Sequence, residues 1–283
     1  MKIIETAAET KAEVKRLKMQ GKTVGMVPTM GFLHEGHMSL VKQSVEDNDV
    51  TVVSIFVNPT QFGPNEDLEA YPRDFEKDKA MLTEAGADII FYPSVDEMYP
   101  EGAITMVKLA SITETLCGVS RPGHFDGVAT IVCKLFNIAS PDRAYFGSKD
   151  YQQLQVIKRM VKDLNMDIEV IDMPIVREED GLAMSSRNIY LKPEERESAL
   201  SLSRSFEIVE RLIDAEEISA DVVQLSVEEF IAGYPHTEID YIEIVHPERM
   251  TEMEKLTEDF VVALAVKVGR ARLIDNKFFS VKK

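Results

Sequence analysis

His34 and His37 stand three residues apart in the stretch Gly25-Met26-Val27-Pro28-Thr29-Met30-Gly31-Phe32-Leu33-His34-Glu35-Gly36-His37. On the first turn of a helix that spacing points two imidazoles the same way. Beside the unpaired N–H groups of a helix N-terminus, they can donate to a phosphate oxygen and to the charge that grows on it during displacement. Gly36 removes a side chain where phosphate must come close. The bland alternative is two surface histidines at a helix start. Against it, these are two of only five histidines in the chain, and they follow a turn that leaves an apolar segment. His34-Glu35-Gly36-His37 looks superficially like a zinc-protease motif. That motif spaces its histidines by four, and no third ligand is evident here, so zinc is not expected. The turn has no Lys or Arg, and none occurs between Lys42 and Arg73. A phosphate held there must find its cations in distant sequence.

Three other groups carry weaker signals. Lys149 and Asp150 follow Gly147-Ser148 after a short apolar run and open a helical pattern, a place where open sheets bind ligands. Lys149 suits phosphate as a point charge, and Asp150 suits a ribose hydroxyl or a metal, or simply an N-cap. Gln153 lies one turn further on, and Gln61 lies just past a β-branched run. Their amides can read hydroxyls and a carboxylate without adding charge. Met184-Ser185-Ser186-Arg187 places two hydroxyls and a guanidinium on a polar loop suited to closing over a triphosphate, or to joining two domains.

The elements that position these residues alternate. Helical spacing is expected over 6–19, 36–46, 73–85, 128–139 and 151–165. Strands are expected at 23–28, 50–57, 87–92, 104–109, 142–146 and 167–172. The β-branched run from Val50 to Val57 suits a strand buried on both faces. Such alternation implies an α/β fold, a Rossmann-like parallel sheet with helices on both faces. After Pro174 the rhythm changes to two helices, 193–215 and 220–232, and then strands at 238–245, 260–268 and 272–275. That order implies a small α+β C-terminal domain with an antiparallel sheet. The expected domains are 1–173 and 174–283.

Composition bounds the function. The chain has 283 residues, 45% of them hydrophobic and 29% charged, within the range of globular proteins. Its formal net charge of −17 argues against a nucleic-acid partner, which requires a basic face. No apolar run is long enough for a membrane span, and the first residues carry no signal-peptide core. Cys117 and Cys133 form neither a disulfide framework nor a metal knuckle, and Cys133 lies in an apolar pattern that predicts a buried thiol. A cytoplasmic protein is expected.

Taken in order, six segments resemble the pantoate–β-alanine ligase family of the nucleotidylyltransferase superfamily. They are Pro28-Thr29-Met30-Gly31, His34-Glu35-Gly36-His37, Asn58-Pro59-Thr60-Gln61-Phe62, Arg121-Pro122-Gly123-His124-Phe125-Asp126-Gly127-Val128, Lys149-Asp150-Tyr151-Gln152-Gln153 and Met184-Ser185-Ser186-Arg187-Asn188. The resemblance spans essentially the whole chain. It implies ATP-dependent condensation of pantoate with β-alanine through a pantoyl adenylate, with release of AMP and pyrophosphate. It implies that Met30, Gly31, Phe32, Leu33, His34, Glu35, Gly36 and His37 line the ATP site, with His37, His34 and Lys149 acting in catalysis. Gly147, Ser148, Lys149, Asp150, Val176, Met184, Ser185, Ser186 and Arg187 complete the nucleotide contacts, Val176 on adenine. By the same resemblance, Gln61 and Gln153 are expected to hold pantoate, with Arg121 near the pantoate pocket. The resemblance also implies Mg2+ with ATP, and a homodimer. Lys77 stands where some relatives place a further carboxylate near the metal, so no protein metal ligand is assigned. A nucleotidyltransferase of the same superfamily that keeps the nucleotide on its product is the alternative.

Overall fold

The structure, a computed structural model, describes residues 1–64, 66 and 68–281. The β-branched run is a strand with all six of its residues, Val50–Ile55, buried, as a strand covered on both faces must be. Around it the chain alternates as expected. In order come β1 (Lys2–Ile4), α1 (Ala7–Lys18), β2 (Val24–Thr29), α2 (Glu35–Asp47), β3 (Val50–Ile55), α3 (Phe75–Ala85), β4 (Ile89–Phe91) and the single-turn α4 (Val95–Met98). The single-turn α5 (Cys117–Ser120), α6 (His124–Ala139), β5 (Arg143–Gly147), α7 (Tyr151–Asp163) and β6 (Glu169–Met173) follow. The sheet is parallel, in the order β1-β4-β3-β2-β5-β6.

Alternation along the strands divides the core. Val27, Val53 and Ile90 pack with Val41 of α2 and Leu82 of α3. Met26, Val52 and Ile89 are also buried and point the other way. Local chemistry ends the helices: Thr6 Oγ1 caps α1 by accepting from the Glu9 N–H, and Gly86 closes α3 at φ 87°.

Beyond β6 lie α8 (Arg196–Asp214), α9 (Ala220–Ala232) and an antiparallel sheet of β7 (Thr237–Val245), β8 (Phe260–Val268) and β9 (Ala271–Phe279). Phe206, Val223, Ile242, Leu264 and Phe279 are among the residues of their shared core. The chain forms two compact units. The first comprises Met1–Thr113, Arg121–Ser148 and Gln153–Pro174, and the second comprises Glu114–Ser120, Lys149–Gln152 and the chain from Ile175 onward. No helix among the described residues is long and apolar enough to cross a membrane.

Several expectations are corrected. Residues 104–109 form no strand and join no ladder: the Val107 N–H donates to Thr130 Oγ1 at 2.9 Å, and Ile104 is 93% exposed. β1, absent from the sequence reading, forms the sheet edge beside β4. The last strand continues to Phe279, well past Asp275. The helix from Pro193 opens as a 3-10 turn, Pro193–Glu195. Cys133 is half-buried rather than buried, and Cys117 is the buried thiol.

Candidate active site

In the strand order, β2 is where the crossovers change direction: the chain runs outward to β3 and β4, then returns to β5 and β6 on the other side. Ligands of open α/β sheets bind at the carboxyl ends of the strands flanking such a point. Here those ends carry the turn after Thr29 and the Gly147-Ser148 pair after β5.

The turn after β2 takes an unusual path. Gly31 has φ 82° and Phe32 has φ 51°. A phenylalanine in the left-handed region costs about 1–2 kcal/mol, so its surroundings must hold it there. Asp78 of α3 does so. Its Oδ2 accepts the Phe32 N–H at 2.8 Å and its Oδ1 the Leu33 N–H at 2.7 Å. A Cβ on Gly31 would come within 3.0 Å of Asp78 Oδ2. Burial pushes the Asp78 carboxyl above its ordinary pKa, against the pull of these two N–H donors. Lys77 sits with its ammonium 4.9 Å from the centre of the Phe32 ring, a cation–π contact.

Asp78→Asn leaves one of the two N–H groups facing an NH2 instead of an acceptor. It is expected to destabilise the protein by about 2 kcal/mol in urea melts. The raised pKa gives this residue a sign. Its contribution is full below the ordinary carboxyl pKa and is lost as pH rises through the raised one, so the variant's stability curve should be flatter over that window.

The two histidines cap α2 as a pair. His34 Nδ1 accepts the Gly36 N–H at 3.1 Å, and His37 Nδ1 accepts the His34 N–H at 3.4 Å. The ring centroids are 4.1 Å apart. A neutral imidazole whose Nδ1 accepts carries its proton on Nε2. Both rings therefore present an Nε2–H donor, at the end of the helix where the macrodipole favours an anion. Capping uses the Nδ1 atoms of both rings, so it leaves the phosphate reading open through the other ring nitrogens.

Gln61 lies at the centre of a second network. It ends the 3-10 turn Pro59–Gln61 and is 8% exposed. Its Oε1 accepts from Asn58 Nδ2 at 2.9 Å, which leaves the Nε2 hydrogens to meet an acceptor such as a hydroxyl or carboxylate. Asn58 is fully buried and fully bonded: Nδ2 also reaches the Gly127 carbonyl at 3.1 Å, and Oδ1 accepts from Thr60 Oγ1 and Tyr99 Oη. Gly127 permits this packing. A Cβ there would lie 2.3 Å from the Thr60 carbonyl oxygen and 2.9 Å from Gln61 N. The Gln61 carbonyl receives His124 Nδ1 at 2.8 Å and Arg121 Nη2 at 3.2 Å. Arg121 also holds Glu66 with two bonds, at 2.7 and 2.6 Å, and places Nη1 3.1 Å from His124 Nε2. Burial opposes ionisation of Glu66, but the guanidinium outweighs it and holds the carboxyl below its ordinary pKa.

In the second unit, Val176 and Met184 are brought together: the Met184 N–H donates to the Val176 carbonyl at 3.0 Å. Ser185 Oγ then caps the 3-10 turn Ser186–Tyr190 by accepting the Arg187 N–H at 3.2 Å. The Ser-Ser-Arg segment is thus an ordered turn on a small hairpin. The hairpin is anchored by Arg177, which forms a two-bond pair with buried Asp275 at 2.6 and 2.9 Å. Lys149 Nζ lies 3.1 Å from Asp150 Oδ2, and Asn276 Nδ2 donates to the Lys149 carbonyl at 2.8 Å. Gln153 is half-buried on the first turn of α7.

Sequence reasoning left Asp78, Asn58, His124 and Gly127 without roles of their own. Glycine inside a helical pattern at 127 was a signal of close backbone approach. Nothing local to Asp78 or Asn58 identified what each would bind. A cavity of about 530 Å³ also meets the turn, lined by Met30, Gly31, Phe32, Asp78, Phe75 and Tyr92 among others.

Comparison with known proteins adds context to this geometry. The family model described as pantoate-beta-alanine ligase matches residues 2–278. Pantothenate synthetase of Caldicellulosiruptor bescii is 56% identical over 276 residues, covering 98% of each chain. That of Acetivibrio thermocellus is 55% identical over 281 residues, covering 99% of this chain and 100% of its own. The crystal structure of pantothenate synthetase from Thermus thermophilus superposes with a TM-score of 0.93 at 45% identity, over all of both chains. Pantoate-beta-alanine ligase from Francisella tularensis, crystallised with beta-gamma ATP and beta-alanine, has a TM-score of 0.79 at 35% identity, covering 100% of this chain and 98% of its own.

Proposed function

This chain belongs to the pantoate–β-alanine ligase family, and on that premise we propose that the paired imidazoles at the N-terminus of α2 hold the phosphates of ATP while pantoate is adenylated. The enzyme is an ATP-dependent ligase that joins pantoate to β-alanine. In the first step a pantoate carboxylate oxygen attacks the α-phosphorus of ATP, the bond to the β-phosphate oxygen breaks, and pyrophosphate leaves. In the second, the amine of β-alanine attacks the acyl carbon of pantoyl adenylate. The acyl–oxygen bond breaks, AMP leaves, and the amine loses a proton.

The observation that carries the assignment of roles is the pair of Nε2–H donors fixed by the two capping bonds. They point donors at developing phosphate charge with no reorganisation. Met30 to His37 line the ATP site, with Gly147, Ser148 and Asp150. Lys149, Ser185, Ser186 and Arg187 bind the triphosphate, supplying the cations that the turn lacks, Val176 meets adenine, and Met184 is among the nucleotide contacts. Gln61 and Gln153 hold pantoate, with Arg121 near its pocket. Among the described residues no group of three or more His, Cys, Asp or Glu is placed to hold a metal ion. Mg2+ enters with ATP, carried mainly by the phosphates, as is common for this ion. The enzyme acts as a cytoplasmic homodimer, with small molecules rather than nucleic acid as its partners.

ATP–pyrophosphate exchange tests the reading. Exchange should require pantoate and proceed without β-alanine. ADP among the products, or exchange independent of pantoate, would overturn it.

A further inference from the structure

We infer that Arg121, His124 and Glu66 are positioning residues for pantoate, acting through the main-chain carbonyl of Gln61 rather than touching the substrate. The inference rests on the proposed role of Gln61 as a pantoate-binding residue.

The hydrogen-bond roles in this cluster are determined. Arginine only donates, so His124 Nε2, 3.1 Å from Arg121 Nη1, must accept. The His124 proton is then on Nδ1, which donates to the Gln61 carbonyl at 2.8 Å. Arg121 Nη2 supplies a second donor to the same oxygen at 3.2 Å. Both lone pairs of that carbonyl are used, and the peptide plane of residue 61 is fixed from one side. From the other side Asn58 orients the Gln61 amide. The guanidinium is itself aimed by Glu66, whose two oxygens take Arg121 Nε and Nη2 at 2.7 and 2.6 Å. Four of the hydrogen bonds of Arg121 thus go to protein partners, and its forked geometry suits aiming a neighbour more than binding a second carboxylate. The chain crosses 55 residues to make the Glu66 contact and 60 to make the Gln61 contact. This makes one arrangement out of two segments that had separate motif identities, Asn58-Pro59-Thr60-Gln61-Phe62 and Arg121-Pro122-Gly123-His124.

A positioned amide matters because a small misplacement of a substrate-binding group weakens binding and reaction together. The test is a double-mutant cycle in the full-length enzyme, with initial rates as functions of pantoate and of ATP. Gln61→Ala should raise KM for pantoate. Arg121→Gln and His124→Phe should each raise it about tenfold, with KM for ATP within about twofold, because uniform pantoate binding is lost. In the Gln61→Ala background the same changes should add less than about twofold, since residues acting through one group are not additive. His124→Asn, which keeps a donor where Nδ1–H stood, should recover most of the loss, and Glu66→Gln should fall between wild type and Arg121→Gln. A purely structural role would lower kcat through inactive protein and leave KM unchanged, and melting curves identify any variant that fails to fold. Unchanged KM in Gln61→Ala would overturn the role of Gln61 itself. A Gln61→Ala effect joined by fully additive Arg121 and His124 effects would leave Gln61 in place and overturn this inference, assigning Arg121 to direct substrate contact.

Discussion

Replacing His37 with alanine is expected to slow pantoate-dependent ATP–pyrophosphate exchange by about 10²–10³-fold, the loss measured elsewhere when one preorganised donor to a developing oxyanion is removed. The prediction separates rate from fold. One structural contribution of His37 is an acceptor, the Nδ1 that takes the His34 N–H at 3.4 Å. A cap of that kind is worth about 1 kcal/mol, too little to unfold a two-unit protein of this size. The functional part proposed for it is the Nε2–H on the other side of the ring. His37→Gln restores an acceptor for the cap and offers a donor with shorter reach, so it should recover stability and little of the rate. A folded His37→Ala enzyme that exchanges near the wild-type rate would refute the role of this imidazole.

The second large effect comes from a residue with no functional group. Gly127→Ala should raise KM for pantoate by about tenfold or more and lower stability by about 2–3 kcal/mol, as overpacking does where the neighbour is unable to give way. The atoms a Cβ would meet are backbone: the Thr60 carbonyl oxygen at 2.3 Å, its carbon at 2.6 Å and Gln61 N at 2.9 Å. Relief requires the Pro59–Gln61 turn to move away from α6. That breaks the Asn58 Nδ2 bond to the Gly127 carbonyl and releases Gln61 from the amide that orients it. Gly269 offers a contrast in kind: there the contact at 2.2 Å is a Glu195 carboxylate, the mobile end of a side chain. Unaltered melting and an unaltered KM for pantoate in Gly127→Ala would show that α6 does not brace the Gln61 turn.

Both predictions were partly visible in the amino-acid string, for different reasons. The histidine pair announced itself locally: its spacing, the glycine between and the strand before it are all within 13 residues. Local periodicity likewise determined the parallel sheet, because β-branched runs such as Val50–Ile55 and amphipathic helices such as α2 follow burial patterns that can be counted in the sequence. The six ordered segments determined the family. What local pattern missed was short or non-local. β1 is three residues long and becomes a strand only because β4 lies beside it. Residues 104–109 have the composition of a strand yet lack a partner edge, and propensity without a ladder is not a strand.

The contacts of Asp78, Asn58, Arg121 and His124 were decided by tertiary structure alone. Each acts on backbone N–H or C=O groups 45 to 69 residues away. A hydrogen bond to the main chain leaves no complementary side chain in the sequence to recognise. The string therefore offered candidates for substrate contact, the histidine pair through residue type and spacing and the others through the family resemblance. The fold decided what holds them still, because orientation is set by whichever buried donor or acceptor the packing brings within about 3 Å.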